Sequence, residues 1–308
     1  MDRFSVFSAR LVDKSENFTS GHRACQGCAE ALAVRHVVKA LGRDTIIAMA
    51  TGCMEIISSP LPLTSWKLPW IHNAFENPAA VISGCERGMK AMMRKGKLPQ
   101  KKINFVAMGG DGATADIGMG SLSGALERGH DMLYVCYDNE AYMNTGIQRS
   151  SSTPFGASTT TSPAGKKSMG QNTQKKNMPK IAVAHNIPYV ATACSSFPFD
   201  LMEKIKRAVE TPGPAYVHVM SVCPTGWRIQ PADAIKYGRL VVDSCVFPLY
   251  EVINGSYKLT YQPKQIITVK EYLSGQGRFR HLTDKEIEQI QESVTRDYQK
   301  LVKMSEEV

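Results

Sequence analysis

The chain has 308 residues, with 37 Lys and Arg against 28 Asp and Glu for a net charge of +9, and it is 43% hydrophobic and 21% charged. That length accommodates one large α/β domain or two ordinary ones with a sizeable core, and the composition excludes a disordered or fibrous chain. No run approaches the roughly 18 apolar residues of a membrane span, and the charged start MDRFSVFSARLVDKSENFTS lacks the apolar stretch of a secretory signal, so a cytoplasmic protein without membrane contact is expected.

The elements alternate along the chain. A helical pattern at 28–41 (CAEALAVRHVVKAL) is followed by an apolar strand at 45–50 (TIIAMA), a helix at 77–94, a strand at 103–108 (INFVAM), a helix at 116–128 and a strand at 132–137 (MLYVCY). Beyond a break come a strand at 187–191 (IPYVA), a helix at 199–210 and a strand at 215–222 (AYVHVMSV). Strands that are apolar throughout and separated by helices predict an α/β fold with a doubly wound parallel sheet. The break, residues 149–178, is rich in Ser, Thr, Gly and Lys and has no core face; by composition it is a long loop or a disordered segment. After 230 the chain mixes Pro, Tyr and charge and ends in a charged helix near 284–305, which reads as an extension packing on a neighbour.

The basic pieces are short and scattered: Arg94, Lys95 and Lys97; Lys101 and Lys102; Lys166 and Lys167; Lys175 and Lys176. They read as solvated surface or as a docking face for an acidic partner protein. Basic and aromatic residues do not interleave, so nucleic acid is not an expected partner.

Residues 108–120 read MGGDGATADIGMG. Asp111 stands between glycines at the carboxyl end of the strand 103–108, where open α/β sheets bind ligands. Gly109, Gly110 and Gly112 permit close backbone approach, and the helix expected from near Asp116 offers its N-terminal end to an anion. Asn139 follows 28 residues later in YDNEAYMNTG, about one strand–helix–strand crossover away. Asp111, Asn139 and the main-chain carbonyl of Ala141 can therefore meet as hard oxygen donors for Mg²⁺, with phosphate and water completing the octahedron. The pattern resembles the thiamine diphosphate fingerprint, in which such an Asp, Asn and carbonyl bind Mg²⁺ and the metal anchors the diphosphate.

In such a compartment the eight cysteines are not expected to form disulfides. Cys25 and Cys28 open the first helix as C-x₂-C, Cys53 follows the strand 45–50 in TGCME, and Cys223 follows the strand 215–222 in VCPTGW. If the strands are parallel, these cysteines crowd the same sheet edge as Asp111 and Asn139. On spacing alone an iron–sulfur cluster, structural zinc and core thiols all stay open. Cys85, Cys136, Cys194 and Cys245 lie in apolar context and read as buried free thiols.

Taken together, CQGC, TGC, GDGATADIG, YDNEAYMNTG, CPTGW and the stretch WKLPWIHNAFENPAA resemble the β subunit of the pyruvate:ferredoxin oxidoreductases, the thiamine-binding chain of the 2-oxoacid:ferredoxin oxidoreductases, over roughly 20–250. The resemblance implies the thiamine diphosphate-binding fold over 21–230, preceded by an N-terminal extension (1–20) and followed by a C-terminal one (231–308) that packs on the domain or a partner subunit. It implies that Cys25, Cys28, Cys53 and Cys223 hold a 4Fe-4S cluster, and that Glu30, Cys53, Gly110, Asp111, Gly112, Ala113, Asn139, Glu140, Ala141, Tyr142, Met143 and Asn144 line the cofactor. It also implies that 149–178 is an ordered loop over the site, against the compositional reading.

The implied reaction is oxidative decarboxylation of a 2-oxoacid, commonly pyruvate with coenzyme A, with electrons leaving singly through the cluster towards ferredoxin. Oxalate, without coenzyme A, and branched 2-oxoacids are substrates of relatives of similar design. Asn144 is the candidate to orient the substrate. His22 and His72 read as structural. The carboxylate that activates thiamine comes from another subunit in this family, and no ferredoxin-like cysteine run is present in the sequence, so a hetero-oligomer is expected. Two competing readings are a cluster-free thiamine diphosphate decarboxylase or synthase, and a zinc-stabilised binding module.

Overall fold

The computed structural model describes residues 12–60 and 62–307; most of the expected N-terminal extension lies outside them. Helix α1 (Ala29–Leu41) leads into β1 (Thr45–Ala50), α2 (Cys53–Ser58), β2 (Trp70–Asn73), α3 (Pro78–Arg94) and β3 (Asn104–Gly110). A π-helical turn (Ala113–Ile117) and α4 (Met119–Glu127) return the chain to β4 (Leu133–Asp138). The long loop carries a minimal hairpin, β5 (Ala164–Gly165) and β6 (Ser168–Met169), and is followed by α5 (Met178–Val183), β7 (Tyr189–Cys194), α6 (Pro198–Glu210) and β8 (Ala215–Met220). The last part holds α7 (Pro224–Trp227), a 3₁₀ turn (Pro231–Asp233), α8 (Ala234–Asp243), β9 (Tyr250–Ile253), β10 (Ser256–Leu259), α9 (Val269–Leu273) and α10 (Asp284–Glu306).

Among the described residues the main sheet runs β10-β9-β7-β8-β4-β3-β1-β2. The strands from β7 to β2 pair in parallel, whereas β9 runs antiparallel to β7 and β10 antiparallel to β9. The buried strands put alternate residues on opposite faces. Ile47, Met49, Val106, Met108, Val135 and Val217 pack with Val34, Val38, Leu201 and Ile205 of α1 and α6. Ala48, Phe105, Ala107, Tyr134 and Cys136 pack with Ile82, Leu122 and Leu126 of α3 and α4. With both faces covered, alternation carries no polar side, which is why these strands are apolar throughout.

The connection out of β1 goes to β2 on one side, while that out of β3 goes to β4 on the other. The two connections diverge and leave a crevice at the carboxyl ends of β1 and β3, the topological switch point of the sheet. No helix among the described residues is long and apolar enough to cross a membrane.

The doubly wound parallel core is as the sequence predicts, with corrections. The strands expected at 103–108 and 187–191 are displaced to β3 and β7, the latter ending three residues later at Cys194, and that expected at 215–222 stops at Met220. β2 has no counterpart in the expected list: WIHN is a short edge strand with half-exposed residues, so it lacks an apolar run. The helix expected at 116–128 begins earlier, because the chain turns helical directly at Asp111 and widens into the π turn before α4. Disorder of 149–178 is overturned, since Ser150, Ser152, Thr153, Ala157, Thr159 and Gln171 are buried. Lys175 and Lys176 are not solvated: Lys175 is ion-paired with Asp138 and Glu140, and Lys176 donates to the Ala115 carbonyl. Of the expected buried thiols, Cys136, Cys194 and Cys245 are buried and Cys85 is half-buried.

The π turn depends on Gly118. Its amide donates to the Ala113 carbonyl at 3.0 Å, and a Cβ there would lie 2.1 Å from that same oxygen. Gly118→Ala is expected to destabilise the chain by about 1–3 kcal/mol through overpacking. Gly88→Ala, in the exposed middle of α3 with no atom near its would-be Cβ, is expected to gain up to about 1 kcal/mol. Urea titration checks both; equal effects would contradict the steric account.

Candidate functional site

The register of the sheet aligns three strand ends. Met49 of β1 lies beside Met108 of β3, and Gly110 of β3 beside Tyr137 of β4, so Cys53, Asp111 and Asn139 emerge on one rim. They enclose a cavity of about 330 Å³ lined by Glu30, Cys53, Gly110, Asp111, Gly112, Ala113, Asn139, Ala141, Tyr142, Met143 and Asn144. Every residue the sequence nominated for the cofactor is there except Glu140, whose carboxylate turns away to Lys175 and Arg278. Thr51, Gly52, Phe75, Tyr137 and Thr145 also line the cavity; they lie within the quoted stretches TGC, WKLPWIHNAFENPAA and YDNEAYMNTG, but the sequence reading did not single them out. Asn144 is exposed at the mouth.

Buried carboxylates dominate the electrostatics. Asp111 is 1% exposed and accepts a hydrogen bond from Ser150 Oγ at 2.5 Å. Burial and the neighbouring Asp138 charge push its carboxyl well above the usual range. Burial likewise pushes Glu30 up to about 8, with Asp138 adding to it and the 2.5 Å hydrogen bond from Asn139 Nδ2 opposing it. Asp138 goes the other way: burial works against its charge, but Lys175 Nζ at 2.6 Å and the His218 ring at 2.8 Å outweigh it and hold the carboxyl low. Four buried carboxylates, Glu30, Asp111, Asp138 and Glu140, thus face two cations, Lys175 and Arg278. Fully ionised, the group has an excess of two negative charges, and burying such charge uncompensated is costly. Asp111, a hard oxygen donor without a cation bonded to it, therefore fits a divalent cation.

The three glycines have different tasks. A Cβ at Gly109 would lie 2.7 Å from the Tyr134 hydroxyl and one at Gly112 2.2 Å from the Tyr142 ring, whereas one at Gly110 meets only an ordinary 3.8 Å contact. Close packing inside the protein accounts for Gly109, which the sequence reading assigned to ligand approach; Gly112 both meets Tyr142 and lines the cavity, as Gly110 does. The Tyr142 ring stacks on Phe75 at 5.8 Å, and its hydroxyl donates to Asp116 at 2.8 Å. Asp116 also accepts from the Ser151 amide at 3.1 Å, so it ties the loop over the site to the π turn.

The cysteine positions gather beside this cavity. The amide of Ala29, next to Cys28, donates to the Val222 carbonyl, next to Cys223, at 3.2 Å, and Cys53 lines the cavity itself. Burial pushes the Cys53 thiol up, and Glu30, Cys223, Cys28 and Cys25 add to the shift; the four sulfurs therefore lie within electrostatic reach of one another. Burial pushes Cys28 up to about 12 and Cys223 up to about 11. Cys25 is exposed. Among the described residues no three His, Cys, Asp or Glu side chains are gathered so as to hold a metal ion as they stand. The thiols supply a donor set of the right chemistry for an iron–sulfur cluster or zinc. Met143 lies between the cavity and Cys223: it fills the space where a Cβ of Gly226 would stand, 2.2 Å from its sulfur. His22 stacks on Phe18 at 5.1 Å. His72 bonds Thr51 Oγ1 at 2.7 Å, one residue back from the cavity wall.

A parallel sheet that presents a Gly-Asp-Gly turn and an asparagine turn at adjacent strand ends defines a thiamine diphosphate-binding chain, and the family described as "Thiamine pyrophosphate enzyme, C-terminal TPP binding domain" matches residues 50–219. A solved 2-oxoglutarate:ferredoxin oxidoreductase from Magnetococcus marinus shares the fold, with a TM-score of 0.56 and 22% identity over 74% of this chain and 82% of that one. Pyruvate synthase subunit PorB of Methanocaldococcus jannaschii is 56% identical over 91% of this chain and 95% of its own length. PorB of Thermotoga maritima is 46% identical over 97% and 95%, and ketoisovalerate oxidoreductase subunit VorB of Pyrococcus abyssi 46% over 94% of each. The chain belongs to this family of 2-oxoacid:ferredoxin oxidoreductase β subunits and is an oxidoreductase subunit.

The packing of Tyr142 on Gly112 is testable. Tyr142→Phe removes one hydrogen bond and is expected to cost about 1 kcal/mol. Gly112→Ala is expected to cost more, about 1–3 kcal/mol, and adding Tyr142→Ala to it is expected to recover part of the loss by vacating the space. Thermal unfolding reads all three; a neutral Gly112→Ala would contradict the contact.

Proposed function

We propose that the chain is the β subunit of a pyruvate:ferredoxin oxidoreductase that converts pyruvate and coenzyme A to acetyl-CoA and CO₂. The observation that carries this reading is that Cys53 and Asp111 line one cavity, a sulfur donor and a hard oxygen donor on the same strand rim. Asp111, Asn139 and the Ala141 carbonyl are the residues to hold Mg²⁺ and through it the diphosphate. Cys25, Cys28, Cys53 and Cys223 are the residues to hold a 4Fe-4S cluster. When bound, thiamine diphosphate supplies the carbon nucleophile and electron sink for decarboxylation, and the cluster supplies acceptance of electrons one at a time.

The chain's own residues set the conditions. Gly110 leaves room for the cofactor, and Ala113 and Tyr142 wall the cavity. Glu30, whose carboxyl burial pushes up to about 8, accepts a hydrogen bond from Asn139 Nδ2 in the cavity wall. Asn144, exposed at the mouth, is placed to orient an incoming 2-oxoacid by hydrogen bonding. The exposed lysines and arginines near 94–102 and 166–167 suit the acidic surface of a partner such as ferredoxin. The activating carboxylate and the clusters further out belong to other subunits in this reading.

Pyruvate is preferred because the PorB relative at 56% identity exceeds the VorB relative at 46%. A branched 2-oxoacid is the second reading, supported by the equal 46% identities of the Thermotoga PorB and Pyrococcus VorB chains.

The test is viologen reduction by the purified complex against a panel of 2-oxoacids, with and without coenzyme A, paired with iron and sulfide analysis. The expected result is coenzyme A-dependent reduction fastest with pyruvate, and Cys53→Ser losing both iron and at least about 100-fold in rate, since a ligand has been removed. Preference for 2-oxoisovalerate would favour the second reading. Coenzyme A-independent turnover of oxalate, or a colourless active complex, would overturn the assignment.

A further inference from the structure

We propose that Glu140, clamped by Lys175 and Arg278, is a positioning residue that holds the turn 139–141 in the shape presenting Asn139 and the Ala141 carbonyl to the bound cation; this deepens the cofactor reading above and rests on it. The turn is strained where it matters. Glu140 has φ +73°, a left-handed conformation that residues with a Cβ rarely adopt and that persists only when the surroundings enforce it.

The enforcement is ionic and comes from distant parts of the chain. Lys175, in the loop 149–178, meets one Glu140 oxygen at 2.8 Å and Asp138 at 2.6 Å, so one ammonium ties down the residues on both sides of Asn139. Arg278, between α9 and α10, makes an ion pair with the other Glu140 oxygen at 2.7 Å, and both side chains are 3% exposed. The Arg278 guanidinium lies 3.8 Å from the centre of the Trp227 ring, and Trp227 Nε1 donates to the Asn139 carbonyl at 3.0 Å. The same arginine thus grips the turn directly and braces the indole that grips it again. The Glu140 amide donates to Asp138 Oδ1 at 2.9 Å, and its carbonyl accepts from Thr153 Oγ1 at 2.8 Å.

Packing on the Glu140 side is incomplete. Behind the clamp, beneath α10, lies a second cavity of about 390 Å³, and Glu140 and Lys175 are in its wall. A turn with the cofactor cavity in front and a void behind is held by its ion pairs and hydrogen bonds. A buried ion pair adds little to net stability against an apolar replacement but fixes one geometry, which is what a cation with octahedral demands requires.

Glu140→Gly separates this role from a structural one, because glycine adopts φ +73° freely while losing the clamp. The purified complex, depleted of Mg²⁺ and thiamine diphosphate, is titrated with Mg²⁺ at saturating thiamine diphosphate and followed by tryptophan fluorescence, with Tm measured in parallel. The expected result is an Mg²⁺ midpoint raised by about ten-fold or more, as for loss of a residue that orients metal ligands, together with a lower Tm, because Arg278 is left buried without its partner. Glu140→Gln is expected to raise it too, and Arg278→Lys less than Arg278→Met. An unchanged Mg²⁺ midpoint in Glu140→Gly, or a fall in Tm with that midpoint unchanged, would overturn the proposal. If Glu140→Gly does not assemble, Glu140→Gln and the Arg278 pair decide by the same titration. Asp111→Ala is the control for the underlying reading: if it also binds Mg²⁺ and thiamine diphosphate normally, the cofactor assignment fails rather than the clamp.

Discussion

Asp111 is a carboxylate almost without solvent contact, held by one serine hydroxyl and beside other buried acids. Leaving such a charge in a protein interior is expensive unless a cation joins it. The surroundings are organised around that cost. Lys175 pairs with Asp138, which also shares a hydrogen bond with the His218 ring; Lys175 and Arg278 pair with Glu140, and no cation is bonded to Asp111 or Glu30 among the described residues. The protein balances its supporting acids and leaves those facing the cavity to be balanced from outside.

This arrangement is made by topology before it is made by side chains. The parallel register of β1, β3 and β4 brings their carboxyl ends level, and the divergent connections from β1 and β3 keep the space between them open. The loop 149–178 then returns over that opening, contributing Ser150 to Asp111, the Ser151 amide to Asp116 and Lys175 to the turn 139–141. The chain after 230 adds β9 and β10 to the sheet edge and carries Arg278 back to Glu140. Segments far apart in sequence therefore share the burden of fixing one turn.

The parts of this that were legible in the sequence are those written in short motifs on regular spacing. Asp111 between glycines, Asn139 one crossover later and the cysteines after apolar runs marked the rim, because strand–helix–strand geometry makes spacing a proxy for position. The supporting shell was not legible. Lys175 sits in a Lys-Lys pair within a Ser- and Thr-rich loop, which in one dimension looks the same as a solvated surface. The order of that loop was hidden because its buried residues, Ser150, Ser152 and Thr153, are small and polar and bond to backbone and carboxylates rather than to an apolar core. Arg278 carries no motif; its burial depends on Trp227 and Glu140 arriving from elsewhere. The glycine motif was found but misread at Gly109, which is absent from the cavity wall and answers to Tyr134, and Gly112 answers to Tyr142 as well as to the cavity, contacts that only the folded chain reveals.

The central claim is that Asp111 and Asn139 hold a divalent cation that in turn holds a diphosphate. Replacing Mg²⁺ by Mn²⁺ in the purified complex and recording electron–nuclear double resonance tests it directly, because Mn²⁺ couples to the nuclei of its ligands, including the phosphorus of a phosphate bound through oxygen. The account predicts ³¹P coupling from thiamine diphosphate that disappears in Asp111→Ala. Mn²⁺ bound without ³¹P coupling, or a coupling unchanged by Asp111→Ala, would contradict it.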